Sequence, residues 1–565
     1  MAVQTHRKRF GRVIFGLMAC LLLALSAGVV QATPGLAQEE APIASEPTVV
    51  EAAAFDVSPA LRDIAPRLPQ QSRQAISPRL LEERGPVVPD RGYSGDGALQ
   101  SSDPRQDATL LAPPIVNFEG LANIDNPFLL SPPDPVGDVG PNHYVEMLNL
   151  VFAVYSKTGT RLLGPIELGA LWEGFAVDDC TANAGDPIVL YDQYVDRWLL
   201  SQFTTRGPEY FNCVAISQTG DPTGAYYRYA FSSGENFPDY PKYGVWRDAY
   251  YLSTREFGPT GVAGIGAYAL ERRSMVLGDP NARMVKFLLA PGNTPYLGGD
   301  GLLPADADGG RLPPPRTPNF FVGAMDDDGQ YGAPFDAVNI FEFSVLWVAR
   351  PVATFRLAAQ LPVASFDSAF PCDFSVSSRA CIPQPDTDHK IDILSYRQRP
   401  MWRLAYRNFI TYETMVTNQS VEARPGIAGV RWYEIRRVNG EYSIHQQGTY
   451  APDDVNRWMG SAAMDRAGNI GVGYSVSSKT VYPGIRYTGR LNGDPLGEMT
   501  LGEAVIINGS GSQLGPSSRW GDYTSMNIDP TDDCTFWYVN EYYETSSPRN
   551  WQTRIASFRL PGCTP

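Results

Sequence analysis

Asn142-His-Tyr-Val-Glu-Met147 starts on a turn-forming asparagine and runs straight into a short aromatic and β-branched pattern, and that texture decides the fold. It recurs at Asp196-Arg-Trp-Leu-Leu200, Asp248-Ala-Tyr-Tyr-Leu252 and Asn319-Phe-Phe-Val322, then at Pro400-Met-Trp-Arg-Leu404, Asn469-Ile-Gly-Val-Gly-Tyr474 and Asp533-Cys-Thr-Phe-Trp-Tyr538. Successive starts lie 52 to 81 residues apart, a length that suits a unit of several short strands with long loops. Sustained 3.6-residue periodicity is nearly absent, and Gly and Pro punctuate the runs, so strands rather than helices are expected. Four units carry a shorter run just ahead: Asp186-Pro-Ile-Val-Leu-Tyr-Asp192, Pro241-Lys-Tyr-Gly-Val-Trp246, Ser461-Ala-Ala-Met-Asp465 and Tyr523-Thr-Ser-Met-Asn-Ile-Asp529. Small or alternating residues there suit the innermost strand of a radial sheet, where neighbours crowd. The reading is all-β: one large β-propeller over residues 114–565, seven-bladed, with six or eight blades also compatible with so degenerate a repeat. The alternatives are an irregular multi-sheet protein or two β-sandwiches. Val116-Asn-Phe-Glu-Gly-Leu121 is expected to supply a strand that completes the last blade.

Ahead of this domain the texture differs. Arg7, Lys8, Arg9 and Arg12 precede an apolar run from Val13 to Val30, and Val30-Gln31-Ala32 or Gly35-Leu36-Ala37 offers a small-residue cleavage site. That is the pattern of an export signal over residues 1–37. An uncleaved anchor is the alternative, since the run has about the minimum length for a span. Leu17-Met18-Ala19-Cys20 also resembles a lipoprotein box, but the apolar run continues well past Cys20. Residues 38–113 are rich in Pro, Ala, Ser, Gln and charge and lack periodicity, so a disordered spacer is expected, with short helices near Leu61 or Leu80.

Cleavage would remove four positive charges and no acids, moving the formal charge from −15 to −19. So acidic a chain is a poor nucleic-acid ligand, because phosphate binding needs clustered Lys and Arg. Cys20 lies in the signal, and the remaining six cysteines form an even set, as in disulfide-bearing exported proteins. Pairing between sequence neighbours is expected: Cys180–Cys213, Cys372–Cys381 and Cys534–Cys563. His143, His389 and His445 are far apart and read as surface or turn residues. No nucleophile elbow, zinc-protease helix or phosphate loop appears.

In a radial β fold, ligands meet the channel mouth where the innermost strands begin. The residues entering those strands are Asp134, Asp138, Asp186, Asp239, Arg457, Arg519 and Asp522. Carboxylates with arginines could bind a sugar, a cation or an anionic group, and paired carboxylates could act as acid and base on a glycosidic bond. Tyr487 or Tyr523 could assist. The competing reading is structural, because Asp at such entrances also caps turns through backbone N–H groups. Asp306 and Asp308, and Asp326 and Asp328 with Asp336 downstream, alternate with Gly in a way that suits Ca²⁺, although neither stretch matches the EF-hand loop. No other cofactor is indicated.

Several stretches resemble a family of uncharacterised secreted bacterial β-propellers: Pro133-Asp-Pro-Val-Gly-Asp-Val-Gly-Pro-Asn-His-Tyr-Val145, Gly185-Asp-Pro-Ile-Val-Leu-Tyr-Asp192, Gly468-Asn-Ile-Gly-Val-Gly-Tyr-Ser-Val-Ser-Ser478, Arg519-Trp-Gly-Asp-Tyr523 and Asp533-Cys-Thr-Phe-Trp-Tyr-Val-Asn-Glu-Tyr-Tyr543. The resemblance spans about residues 115–563 and implies fold and export but no catalytic residues. Asp465-Arg-Ala-Gly468 is distantly similar to the Asp-containing hairpin of sialidase propellers, without its leading Ser and closing Trp. The expectation is a secreted or otherwise extracytoplasmic monomer, at the cell surface or in the periplasm, that binds a glycan, peptide or surface partner. The alternative is a sialidase-like glycoside hydrolase or lyase using the mouth carboxylates.

Overall fold

The computed structural model describes residues 44–64, 72–75, 92–100, 111–370, 380–393, 398–515 and 518–564. The expected export signal, Leu80 and Cys372 lie outside them. Among the described residues, seven runs of antiparallel strands follow one another along the chain, the fourth and fifth joined in one eight-stranded sheet, and each opens with a buried leading strand. We label these β1 (Val136–Val139), β2 (Ile188–Asp192), β3 (Phe237–Val245), β4 (Leu303–Ala307), β5 (Met401–Asn408), β6 (Asn456–Met464) and β7 (Ser525–Ile528). From β1 to β6 three further strands return in order to make a four-stranded meander. In the seventh, β7, Thr535–Tyr543 and Trp551–Arg559 are joined by Val116–Ala122, with Ile555 opposite Phe118. The expected completing strand is therefore present.

The leading strands neighbour one another: β1 beside β2, β2 beside β3, β3 beside β4, β5 beside β6, β6 beside β7 and β7 beside β1. β4 and β5 pair in parallel, Ala305 opposite Leu404. Six of the seven aromatic runs fall on the second strand of a sheet. The exception is Pro400-Met-Trp-Arg-Leu404, which falls on leading strand β5, while its second strand is Glu413–Arg424.

Aromatic side chains fill the space between sheets, as with Tyr251 and Phe343 at 5.2 Å and Trp246 and Tyr406 at 4.5 Å between ring centroids. Each fully buried ring contributes roughly 1.5–3 kcal/mol relative to exposure. Gly473 is required by the same packing, because a Cβ there would lie 2.5 Å from the Tyr538 ring. The Gly-Val-Gly spacing thus lets the sixth sheet close on the seventh.

Part of the expected disordered spacer is ordered. Thr48–Glu51 adds to the outer edge of the third sheet against Arg283–Leu289, and Ala54–Val57 adds to the second against Tyr226–Gly234. Phe55 packs on Tyr229 at 5.0 Å, Asp56 receives both arms of Arg228 at 2.7 and 2.5 Å, and Leu61 is wholly buried in a single 3₁₀ turn. Edge addition is driven by main-chain hydrogen bonds, so four-residue segments suffice and leave no periodic trace in the sequence.

Cys180 pairs with Cys213 and Cys534 with Cys563, as expected. Cys381 is also disulfide-bonded. Disulfides persist in oxidising compartments, which points to an extracytoplasmic location. Among the described residues no helix is long and apolar enough to cross a membrane.

Candidate functional site

Asp134, Asp186 and Tyr240 share an unusual conformation. Each has a left-handed φ (52°, 44° and 54°) and each directly precedes a proline; Pro135 and Pro187 lead into β1 and β2, while Pro241 lies inside β3. Non-glycine residues in this region cost about 1–3 kcal/mol and persist only where surroundings over-determine them. Here the turn holds the side chains at the entry of neighbouring sheets, and Asp134 and Asp186 are joined through Asn149.

Asn149 ties two entries together. Its Nδ2 donates to Asp134 Oδ2 at 2.6 Å, and its Oδ1 accepts from the Asp186 N–H at 2.8 Å. The Asp522 N–H donates to Asp134, and Arg519 pairs with Asp522 at 2.7 Å. Tyr523 Oη donates to Asp186 Oδ2 at 3.0 Å. Burial, reinforced by Asp522, pushes Asp134 up to about 7, against the pull of Arg519. Burial and the nearby Asp239, Asp134 and Asp522 hold Asp186 well above the carboxylate range. Asp239 is raised by burial and opposed mainly by Arg255. Carboxylates crowded in a desolvated space share protons rather than all ionising.

Lys242 sits at the centre of this group. Its side chain is wholly buried, with Nζ 3.0 Å from the Tyr240 ring centre and 3.4 Å from that of Tyr523. Arg399 covers Tyr240 at 3.7 Å. Among the described residues, Nζ donates one hydrogen bond, to the Pro241 carbonyl at 3.4 Å. Burial, with Arg399 adding repulsion, drives the amine well below its ordinary pKa, although Asp186, Asp522 and Asp134 pull the other way. Tyr240 Oη, both side-chain polar atoms of Gln398 and Glu541 Oε2 are buried without a partner among the described residues. Such orphans in a native interior call for an ordered water or a ligand. Among the described residues, no three of the mouth carboxylates bring oxygens within 4.8 Å of one another.

The structure thus brings together Asp134, Asp186, Asp239, Arg519 and Asp522. It separates Asp138 and Arg457 from them, correcting the expected set. Asp138 lies inside β1 and accepts the Tyr191 N–H of β2 and the Val139 N–H, both at 2.7 Å. Burial pushes it up to about 8. Arg457 forks between Asp453 at 2.7 Å and Glu503 at 2.8 Å. Tyr487 is also elsewhere, donating to the Ala112 carbonyl and stacked on Phe558 at 3.9 Å. Asp465 caps its own hairpin through the Ala467 and Asn469 N–H groups. The sequence reading missed Lys242, Asn149, Tyr240 and Arg399; the repeated residue-Pro step, ahead of β1 and β2 and inside β3, was the available signal.

Asp306 and Asp308, expected as calcium ligands, are both engaged by Arg403. Arg403 reaches Asp306 with Nε at 2.8 Å and Asp308 with Nη2 at 2.5 Å, so their charge is already compensated in the interior. Asp326 and Asp336 do come together, with Asp327 rather than Asp328 as the third member. The oxygens of Asp326 and Asp336 accept N–H groups of Asp328, Ser368, Asp327 and Phe366, which is the bonding of a closed loop.

No family model and no curated protein matches the chain. Among solved structures it is similar to an endo-arabinase from Bacteroides thetaiotaomicron, at 13% identity over 53% of this chain and 92% of that one, with a TM-score of 0.25. It is also similar to an α-L-arabinanase from Penicillium chrysogenum, at 7% identity over 58% and 94%, TM-score 0.26. A third is the α-L-arabinofuranosidase of Fusarium graminearum, at 8% identity over 66% and 92%, TM-score 0.25. Likeness at this level assigns neither a residue nor a reaction to this chain.

Proposed function

We propose that the chain is an exported seven-bladed β-propeller that binds a neutral, hydroxyl-rich glycan at the mouth where β1, β2, β3 and β7 begin. Seven four-stranded sheets, the cyclic adjacency of their leading strands and the strand returned from Val116–Ala122 to the last sheet support the closed propeller. The disulfides and the basic-then-apolar N-terminus support export. The observation that carries the function is the convergence of Asp134, Asp186, Asp239 and Asp522 around buried Lys242, with orphaned polar atoms beside them. Arg255, Arg399 and Arg519 offset the carboxylates, several of which burial moves towards the neutral form, as it does Lys242. A site so balanced favours a neutral ligand. Sugar hydroxyls both donate to carboxylates and accept from guanidinium groups.

Glycan-array binding by the wild-type chain, lost in Asp186→Asn and Asp239→Asn but kept in Arg457→Gln, is the expected result. Equal binding by all four proteins would remove the mouth from consideration. A second reading, glycoside hydrolysis, is favoured by Asp134, a carboxyl that holds its proton to about pH 7 beside other carboxylates. Incubating each bound glycan and looking for shortened products decides between them; binding without products rejects hydrolysis.

A further inference from the structure

The opposite ends of the fourth and fifth sheets carry a surface of a different kind. Because β4 and β5 run parallel, the turns that follow them emerge at one end, away from the mouth. The turns after the third strands of these sheets, Ala337–Leu346 and Ile427–Val438, emerge there too. Cross-links confirm the grouping: Asn408 donates to the Leu312 carbonyl at 3.0 Å, and Tyr442 to Glu342 at 2.6 Å.

These turns expose apolar side chains. Leu346 is 62% exposed, Val348 43% and Val352 61%, all at one hairpin tip; Ile410 is 70% and Val438 43% exposed in the fifth sheet. The hairpin is anchored, since Trp347 Nε1 donates to the Asp248 carbonyl at 3.0 Å and its ring lies under Arg283. In a chain with 61 acids, the segments 309–318, 343–357, 409–412 and 435–440 contain none. They hold Arg311, Arg316 and Arg350, which are exposed and form no ion pair among the described residues. Arg356, Arg436 and Arg437 are already paired, with Glu342, Glu434 and Glu413. Exposed Glu441 marks the rim.

We propose that this end of the molecule docks on an anionic lipid bilayer. Isolated exposed apolar residues are ordinary, but here they cluster with unpaired cations in segments that hold no acid, the flanking Glu342, Glu413, Glu434 and Asp533 being paired with arginines, on a protein whose net charge would otherwise repel such a surface. Apolar tips enter the headgroup boundary while arginines meet lipid phosphates. The mouth, at the other end of the leading strands, then faces away from the membrane.

The test is co-sedimentation of the mature chain with vesicles of phosphatidylcholine, with and without phosphatidylglycerol. Binding is expected only with phosphatidylglycerol and should weaken as salt is raised. Arg311→Glu/Arg316→Glu/Arg350→Glu should weaken it by at least ~100-fold, at about 5-fold for each arginine lost. Leu346→Ser/Val352→Ser should weaken it with all arginines present. Both variants change exposed turns, and unaltered thermal midpoints would confirm their folding. No binding to either vesicle, or binding unchanged in both variants, overturns the proposal. Binding of soluble dextran sulfate that competes fully and is insensitive to the Leu346/Val352 change would also overturn it, assigning the surface to a soluble polyanion.

Discussion

Arg403→Met should be among the most damaging single substitutions in this protein. The guanidinium is 2% exposed and serves Asp306 at 2.8 Å and Asp308 at 2.5 and 2.9 Å, while Nη1 also donates to the Met526 carbonyl at 3.2 Å. It therefore joins β5 to β4 and reaches β7. Methionine keeps much of the volume but strands two carboxylates in the interior. Breaking a buried pair in this way costs about 3–5 kcal/mol, far more than the net worth of the pair. Arg403→Lys should recover only part, because an ammonium cannot span both carboxylates. Asp306→Asn/Asp308→Asn should soften the effect, since the stranded charge is then gone. The assay is urea unfolding, at neutral pH, of wild type, Arg403→Met, Arg403→Lys, Asp306→Asn/Asp308→Asn and the combination of Arg403→Met with both Asn changes, with the coupling taken from the double-mutant cycle. A loss below about 1 kcal/mol for Arg403→Met would refute the reasoning. So would a lowered wild-type midpoint on adding EDTA together with a neutral Arg403→Met, because Asp306 and Asp308 would then be holding a metal.

Removing the Cys534–Cys563 bond, which spans 29 residues, should cost about 3–4 kcal/mol by loop entropy, read by urea unfolding of the double Ser variant. Glu146 is buried between Thr553 and the Leu121 N–H, and burial raises it from 4.5 to about 7. A raised acid favours the fold below its unfolded pKa and loses that contribution as pH rises through the folded one. Stability should therefore fall between about pH 4.5 and 7, and Glu146→Gln should flatten that slope by on the order of 3 kcal/mol; an unchanged slope rejects the assignment. Lys242→Met should cost less than about 1.5 kcal/mol, since no ion pair is broken, yet weaken glycan binding; equal loss of fold and binding would make Lys242 purely structural. In hydrogen exchange, residues 48–51 and 54–57 should be protected, and free exchange would restore the spacer reading.

The recurring aromatic runs were legible as strands because they combine a turn residue with aromatic side chains that pack between sheets. The fifth unit misled for a physical reason. Its second strand, Glu413–Arg424, is polar yet almost wholly buried, with Asn418, Gln419 and Glu422 inside. Its leading strand carries the Met-Trp-Arg run instead. Pattern reading assumes that buried means apolar, and here it does not. The N-terminal strands were hidden because four residues at a sheet edge need no core-facing pattern.

The candidate site divides along a finer line. Asp134 and Asp138 are four residues apart on the same entry segment, yet only the first reaches the mouth. Asp134 precedes Pro135, outside the strand, where a left-handed φ swings its carboxylate toward Asp522 of the seventh sheet. Asp138 lies within β1, where the extended backbone directs it sideways to the Tyr191 N–H in β2. Asp306 behaves as Asp138 does, inside β4 and bonded to the Val245 N–H of β3. An aspartate ahead of a leading strand thus faces the mouth, and one inside it staples adjacent sheets. Composition cannot separate these roles, because the residue is the same and only its place relative to the first ladder bond differs. That rule accounts for Asp186 and Asp522, which precede β2 and β7. Asp239 is the informative exception: it lies within β3, but the ladder to Tyr250–Gly258 is broken between Asp239 and Lys242. The irregularity frees both side chains from sheet duties and delivers a carboxylate and an amine to the same opening.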